Sequence, residues 1–269
     1  MPTSRSTFWV ADEFDRRAAT YDDNRQHLWQ ADLAAQWLDA QPGQRILDIA
    51  TGTGLGARAV SRLTGQRATI VGIDVSQQML QVAVAKSDRL SCHYLRADAH
   101  WLPFRPATFD ALLCVSAIPY LGNLEAAIAD WCRVGRPNAA LVYTTPAADG
   151  LTVHRLVRQA AEVNGLVMPD PHAAFGTPAR IRATAEHLGL RLTRIERLTF
   201  PQPLDDNPHA AFDTVINYGF ADPVQTAPSD LRAAIFDSYT DLHRAAYRAG
   251  DSGDAIIFGR CQLPESPPE

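Results

Sequence analysis

The stretch Asp48-Ile49-Ala50-Thr51-Gly52-Thr53-Gly54-Leu55-Gly56 decides the fold of this 269-residue chain. It follows a short apolar run, residues 45–50, that predicts a buried strand, and it leads into a helical run, residues 55–63. Glycines at such a junction let the backbone turn tightly and approach a ligand closely. The start of the helix then offers free N–H groups and the positive end of its dipole. The stretch therefore predicts a strand-turn-helix unit with a ligand at the turn.

From this unit onward, strand and helix signals alternate through the first half of the chain, which predicts a parallel sheet with helices on both faces. In the first half, strands are expected over residues 45–50, 68–74, 91–97, 109–115 and 140–145, with helices over 55–63, 77–86 and 124–134. In the second half, helices are expected over 151–163, 179–188, 210–220 and 230–248, strands over 190–200 and 254–262, and a proline-rich break over 201–208. We therefore predict an α/β, Rossmann-like, doubly wound and mostly parallel seven-stranded sheet with an antiparallel last strand and a helical cap.

Composition and charge argue against several classes of protein. The formal net charge of -5 argues against a nucleic-acid partner, because nucleic-acid binding usually needs a basic face. The four cysteines form no C-x-x-C pair and the eight histidines have no metal-ligand spacing, so we expect free thiols and no metal. No signal sequence or apolar stretch long enough to span a membrane is apparent, and we expect a cytoplasmic protein with a small-molecule substrate.

The glycine turn alone fits two classes of cofactor. Gly52, Gly54 and Ala57 match the G-x-G-x-x-G/A pattern of dinucleotide-binding turns. Asp74 follows 22 residues after Gly52, at the end of the second strand, where a carboxylate can accept hydrogen bonds from ribose hydroxyls. Both features suit either a nicotinamide dinucleotide or S-adenosylmethionine. Asp74 could instead cap the next helix, although Ser76 is better placed for that role.

Two further motifs favour S-adenosylmethionine. Residues 98–110 read D-A-H-W-L-P-F-R-P-A-T-F-D, and residues 14–22 read F-D-R-R-A-A-T-Y-D. With the glycine turn and the G-I-D-V-S-Q-Q-M-L run at 72–80, the chain resembles the class I S-adenosylmethionine-dependent methyltransferases, above all the ubiquinone/menaquinone-biosynthesis type and related natural-product methyltransferases. The resemblance covers residues 14–145 and implies S-adenosyl-L-methionine as the cofactor. It also implies that Tyr21 of the leader closes over that cofactor.

At the methionine end of the cofactor, the resemblance implies backbone contacts from Ala50, Gly52 and Gly54. Asp48 would fix the turn and meet the ammonium group. Ser116, which follows the fourth strand, would offer its carbonyl to the same ammonium.

At the nucleoside end, the resemblance implies that Asp74 binds the ribose while Val75 and Met79 pack on the adenine. Asp98 would accept from the adenine amino group, and the Ala99 N–H would meet the ring.

The sequence departs from the family pattern before the fifth strand, where Asn138 stands in place of a turn glycine. Asparagine tolerates a positive φ, so we expect the turn to persist. We expect one domain over 1–269, with a helical leader or cap at 8–40, a cofactor-binding core at 41–146 and an acceptor-specificity half at 147–263. Residues 205–250 form a long connection before the last strand, which is either a helical lid over the site or added packing and a dimer surface.

The motifs name no catalytic base, because one is needed only if the acceptor keeps its proton at neutral pH. His172 is a candidate, since it lies in a loop after the fifth strand. Tyr120, Phe212 and Tyr218 are candidates to line the pocket of an apolar or aromatic acceptor, or they only bury the late helices.

Two other functions remain possible at this point. A nicotinamide-dependent oxidoreductase would share the glycine turn but leaves residues 14–22 and 98–110 unexplained. A methyltransferase-like protein that catalyses non-methylating chemistry, such as cyclisation, would share every motif. The sequence leaves the acceptor, the methylated atom and the choice between monomer and homodimer open.

Overall fold

One sheet organises the protein. The structure is a computed structural model that describes residues 7–170, 172, 175–216 and 221–265. The strands of this described part are β1 (Arg45–Ile49), β2 (Thr69–Asp74), β3 (Cys92–Arg96), β4 (Phe109–Cys114), β5 (Gly135–Pro146), β6 (Arg191–Pro203) and β7 (Ser252–Gln262). These seven described strands form a single sheet in the order β3-β2-β1-β4-β5-β7-β6.

The sheet is parallel except for its last strand in the sequence. β1 lies parallel to β2 and β4, β2 to β3, and β4 to β5, whereas β7 runs antiparallel to both β5 and β6. The predicted fold class is therefore confirmed. The strand order reverses between β1 and β4, and ligands of such sheets bind outside the carboxyl ends of the strands at this point. Because β7 is antiparallel, its first residues lie at that same edge.

Helices cover the sheet and extend beyond it. They are α1 (Thr7–Arg17), α2 (Arg25–Leu38), α3 (Leu55–Leu63), α4 (Gln77–Lys86), α5 (Leu124–Val134), α6 (Thr152–Val163), α7 (Pro178–His187), α8 (Pro208–Ile216), α9 (Asp222–Gln225) and α10 (Ser229–Arg248), with short 3-10 turns at Tyr21–Asp23 and Ile118–Tyr120. No described helix is both long and apolar enough to cross a bilayer.

The core has two layers because successive strand residues point to opposite faces of the sheet. Leu112 belongs to the layer that includes Trp131 of α5, whereas the neighbouring Leu113 belongs to the layer that includes Trp37 of α2. A third apolar cluster lies among α6, α8, α9 and α10 and includes Leu156 and Ile235. The late helices thus have a core of their own.

The strands β6 and β5 have bounds that differ from the sequence prediction. The expected break at 201–208 begins too early, because β6 continues to Pro203. β6 is the edge strand of the sheet, where a proline removes no ladder hydrogen bond from a neighbour. β5 begins at Gly135 rather than 140, with a pairing irregularity against β4. Within this irregularity Asn138 has φ +62°, so the expected positive φ is confirmed, but the residue lies inside β5 and not in a separate turn before it.

The glycine turn imposes a steric requirement that can be measured. Gly54 has φ +82°, and a Cβ there would lie 2.5 Å from Tyr94 Oη and 3.2 Å from Ala83 Cβ. Gly43 has φ +88°, but a Cβ there would have no heavy atom within 4 Å. We expect Gly43→Ala to lower the free energy of unfolding by about 1 kcal/mol through backbone strain alone. Gly54→Ala should cost about 1–3 kcal/mol more, because the packed neighbours must move. Urea denaturation measures the free energy of unfolding of both variants. Equal losses in the two variants would show that the Tyr94 side chain moves aside at no cost.

Candidate active site

The turn after β1 uses left-handed backbone at three positions. Ala50, Gly52 and Gly54 have φ values of +51°, +56° and +82°. Gly54 is the residue that precedes α3, and it has no side chain to cap the helix. The turn therefore leaves backbone N–H groups near the start of α3 and directs Ala50 and Gly52 toward the edge of the sheet.

The carboxylate of Asp48 holds this turn from inside. Its Oδ2 accepts hydrogen bonds from Thr51 Oγ1 at 2.6 Å and from the Ala57 N–H at 2.8 Å. A Cβ at Gly56 would lie 3.0 Å from the same oxygen, so the glycine makes room for the carboxylate. Burial raises the pKa of Asp48 to about 7, although both hydrogen bonds favour the ionised form. Asp48 thus joins the end of β1 to the first turn of α3.

Asp74 connects the second strand to the same turn. Its Oδ2 accepts from the Gly52 N–H and its Oδ1 from the Ser76 N–H, each at 2.8 Å. Ser76 itself caps α4, because its Oγ accepts from the Met79 N–H at 3.1 Å. Burial raises the pKa of Asp74 to about 6. Asp74 is therefore not the cap of α4, and its carboxylate lies at the cavity that the turn borders.

A cavity of about 390 Å³ opens at this edge of the sheet. The sequence-predicted residues that line it are Tyr21, Ala50, Gly52, Asp74, Val75, Met79, Asp98, Ala99, Ser116 and Tyr120. Asp48 and Gly54 do not line it; Asp48 borders a small cavity of about 30 Å³ beside Ser116, and Gly54 packs on Tyr94. Val10 and Phe14 also line this wall. Neither was predicted as a site residue, because no local pattern shows which side chains of the leader face the site.

Asp98 is already engaged by neighbouring donors. It accepts from the His100 N–H at 2.9 Å, from His100 Nδ1 at 2.6 Å and from Thr7 Oγ1 at 2.8 Å. Burial raises the pKa of Asp98, but these hydrogen bonds together lower it by more, so its pKa lies below the usual value. Asp98 is thus ionised and, like Asp74, lines the first cavity.

A second, larger cavity of about 720 Å³ adjoins the first. The two share Phe14, Tyr21, Ser116 and Tyr120, which therefore mark their junction. Other walls of the second cavity come from α2, the start of α6, β7, α8 and the residues before α8. The leader and part of the 205–250 segment thus reach the edge of the sheet that carries the glycine turn.

At the junction, Ser116 forms a network of hydrogen bonds with Gln30 and Thr144, neither of which was predicted from the sequence. Gln30 Oε1 accepts from Ser116 Oγ at 2.6 Å and from Thr144 Oγ1 at 2.9 Å. Ser116 has φ +60°, and its N–H donates to Thr144 Oγ1 at 2.9 Å. These contacts hold the backbone of Ser116 at the boundary between the cavities.

Two carboxylates of the leader, those of Asp22 and Asp15, bind it to the core. Asp22 accepts from Thr53 Oγ1, from Lys86 Nζ at 2.7 Å and from Arg58 Nη2 at 3.1 Å. These hydrogen bonds and the nearby cations hold the pKa of Asp22 below its usual value, although burial raises it.

Asp15 is the second of these carboxylates and contacts the start of α4. It accepts from Ser76 Oγ at 2.5 Å and from the Gln78 N–H at 3.0 Å. Tyr21 is braced by His27, whose ring stacks on it at a centroid distance of 4.1 Å. Burial lowers the pKa of His27 to about 4, so its ring is neutral at pH 7. The leader therefore forms one wall of both cavities and is attached to the core by these contacts.

The acceptor candidates separate into two groups. Tyr120 lies at the junction, with its ring 4.9 Å from that of Phe14. His172 is buried in the second cavity, 6.4 Å from the His154 ring, and burial lowers its pKa to about 4. Both positions are compatible with contact to a bound molecule.

Phe212 lies elsewhere. It is buried among the late helices, 5.0 Å from Phe236 and 5.1 Å from Tyr239, and it lines neither of the two cavities. Its prediction as an acceptor contact is therefore corrected: the side chain supplies packing. Tyr218, the remaining candidate, lies outside the described residues. Among those residues, no group of three or more histidine, cysteine, aspartate or glutamate side chains is placed to hold a metal ion.

Comparison with known proteins identifies the family. A family model described as "Methyltransferase domain" matches residues 46–138. The chain is 33% identical to the demethylmenaquinone methyltransferase of Deinococcus radiodurans over 189 residues, which cover 64% of this chain and 77% of that protein. The chain belongs to the class I S-adenosylmethionine-dependent methyltransferases.

Other relatives place it near the ubiquinone/menaquinone-biosynthesis type. It is 31% identical to the 2-phytyl-1,4-naphtoquinone methyltransferase of Synechocystis sp. over 51% of this chain, and it spans only 60% of that protein's length. The solved structure of a SAM dependent methyltransferase from Aquifex aeolicus superposes with a TM-score of 0.58 at 14% identity, covering 93% of this chain and 98% of that one, which shows the shared fold. The oxidoreductase interpretation of the glycine turn is therefore wrong.

The raised pKa of Asp48 in this methyltransferase predicts a pH-dependent stability. Its folded pKa of about 7 lies above the usual 3.8, so protonation favours the folded state. Its contribution to stability is present at low pH and is lost as the pH rises through 7. We expect Asp48→Asn, which cannot titrate, to reduce the fall in unfolding free energy between about pH 5 and pH 8 by about 1–2 kcal/mol. Urea denaturation at both pH values measures this, with Asp88→Asn as an exposed control. The same pH dependence in wild type and Asp48→Asn would contradict it.

Proposed function

We propose that this chain transfers the methyl group of S-adenosylmethionine to a small molecule with an aromatic ring, bound in the second cavity. The observation that carries the proposal is the junction of two cavities at the carboxyl edge of the sheet, bounded by Phe14, Tyr21, Ser116 and Tyr120. A two-substrate transfer needs such an arrangement, because the reacting groups must meet in line and away from water.

The residues of the first cavity fit the cofactor chemically. Asp74 offers carboxylate oxygens for ribose hydroxyls, and Val75 and Met79 offer an apolar wall for a purine. The left-handed turn at Ala50 and Gly52 gives a close backbone approach for the methionine portion. When bound, S-adenosylmethionine supplies an activated methyl group on a sulfonium.

The chain's own contribution is position and exclusion of water. Gln30 holds Ser116 at the junction, while Tyr21 and Phe14 cover it from the leader. We further propose His172 as the candidate catalytic base. We propose a cofactor-binding core at 41–146, an acceptor-specificity half at 147–263 and, within that half, a lid at 205–250. A cytoplasmic location stays a prediction.

The acceptor class is proposed from the relatives and from the second cavity together. The relatives are named for naphthoquinone and demethylmenaquinone substrates. The second cavity combines apolar walls, such as Val153, Leu204 and Val215, with polar groups from α2 and β7. Of the apolar or aromatic acceptors expected from the sequence, this lining suits an aromatic ring with polar substituents best.

Cofactor binding is the first test. We expect isothermal titration calorimetry to give dissociation constants in the micromolar range for both S-adenosylmethionine and S-adenosylhomocysteine. Absence of binding heat and of any thermal shift with either ligand would contradict the proposal.

Removal of the Asp74 carboxylate is the second test. Asp74→Ala should weaken binding of S-adenosylhomocysteine by about 2 kcal/mol or more, because two charge-assisted hydrogen bonds are lost. Asp74→Asn should recover part of the loss by restoring an acceptor for the Gly52 N–H. An unchanged dissociation constant in Asp74→Ala would confine Asp74 to support of the turn.

A further inference from the structure

Asp254 places a carboxylate in the second cavity from the start of a strand, whereas the first cavity is lined by residues that follow strand ends. It lies near the start of β7, opposite Phe200 of β6, and lines the cavity at the edge where the parallel strands end. A carboxylate at this place depends on the antiparallel direction of β7, since a parallel strand would begin at the far edge of the sheet.

Neutral groups hold Asp254 in place. Its Oδ2 accepts from Gln26 Nε2 at 3.0 Å, and its Oδ1 accepts from the Thr152 N–H at 3.1 Å. In the part of the chain that the structure describes, no cation forms an ion pair with it. Burial raises the pKa of Asp254, which agrees with a carboxylate that lacks a charged partner. Each oxygen keeps a further lone pair for a donor in the cavity.

Asp254 also has a structural role that must be separated from recognition. Thr152 is the first residue of α6, and the preceding Leu151 gives no side-chain cap. The hydrogen bond from Thr152 to Asp254 therefore satisfies one free N–H of this helix. An asparagine can replace this acceptor, but it removes the charge and brings an N–H₂ group.

The geometry of α2 relates Asp254 to the reaction junction. Gln26, which contacts Asp254, and Gln30, which contacts Ser116, lie four residues apart on the same side of α2. The backbones of these two glutamines are separated by roughly 6 Å along the helix axis, about one turn. A molecule that extends from the junction along α2 toward Gln26 therefore approaches the Asp254 carboxylate.

We propose that Asp254 recognises the methyl acceptor by accepting a hydrogen bond from one of its O–H or N–H groups. This inference rests on the proposed function, and it makes Asp254 a specificity-determining residue: the cavity favours phenolic or amino-substituted rings over their alkylated analogues.

The experiment compares ligands that differ only in the donor. Binding of 1,4-dihydroxynaphthalene and 1,4-dimethoxynaphthalene is measured by calorimetry under anaerobic conditions with saturating S-adenosylhomocysteine. Binding of 1-naphthylamine and N,N-dimethyl-1-naphthylamine forms the second arm, which separates O–H from N–H recognition. In wild type we expect at least one donor ligand to bind about 10-fold or more tightly than its alkylated partner.

Two variants assign that preference to Asp254. Asp254→Asn keeps the acceptor for Thr152 and should reduce the preference to within about 3-fold, with an unchanged dissociation constant for S-adenosylhomocysteine. Asp206→Asn removes an exposed carboxylate that does not line the cavity and should retain the full preference.

The outcomes separate the two proposals. Wild-type protein that fails to bind S-adenosylhomocysteine contradicts the proposed function. Wild-type protein that binds it but shows no preference in either ligand pair overturns only the role of Asp254. A preference that survives in Asp254→Asn confines Asp254 to capping α6.

Discussion

The hydrogen bonds of the buried Asp48 carboxylate are the interaction on which the remaining site depends. A single oxygen joins Thr51 in the turn to the Ala57 N–H in the first helical turn, and this fixes the direction in which the backbone leaves β1. An ionisable group with 2% exposure costs free energy to bury, and its hydrogen bonds offset that cost. The turn can then present the Gly52 N–H to Asp74, so the second strand is positioned relative to the first by the same arrangement.

The sheet alone does not enclose a substrate, because its carboxyl edge is open. Enclosure comes from the leader. Apolar residues of α2 pack into the core, and the short turn at Tyr21–Asp23 is attached by hydrogen bonds and ion pairs. Asp22 contacts a nearly buried guanidinium, that of Arg58, and the half-exposed ammonium of Lys86. The exposed pair contributes little by itself, but the buried one forms in an environment with less solvent screening. Both partners lie on helices that flank the glycine turn, so the wall of the cavity and the turn are held by one set of contacts.

What could be predicted from the sequence follows from the range of the interactions. The glycine turn, the Ser76 cap and the left-handed Asn138 depend on neighbours within a few residues, and the sequence shows these neighbours directly. Gln30 meets Ser116 across 86 positions and Gln26 meets Asp254 across 228, and no local pattern signals either pair. Such contacts depend on the crossing of the leader over the sheet edge and on the direction of β7.

The late helices explain why aromatic residues were a poor guide to the acceptor. Phe212 and its neighbours serve a separate apolar cluster, and this cluster joins α8 and α10 to α6. The start of α6 is in turn fixed by Asp254, and its end is joined to α10 by a hydrogen bond of 2.9 Å from Asn164 to Ser238. The helices thus form a wall whose position relative to the sheet depends on polar contacts at the start of β7. Phe212, Phe236 and Tyr239 pack inside this wall, whereas Ala211 and Val215 of α8 line the second cavity beside polar groups of α2 and β7. The aromatic content of these described helices is therefore separate from the lining of the cavity.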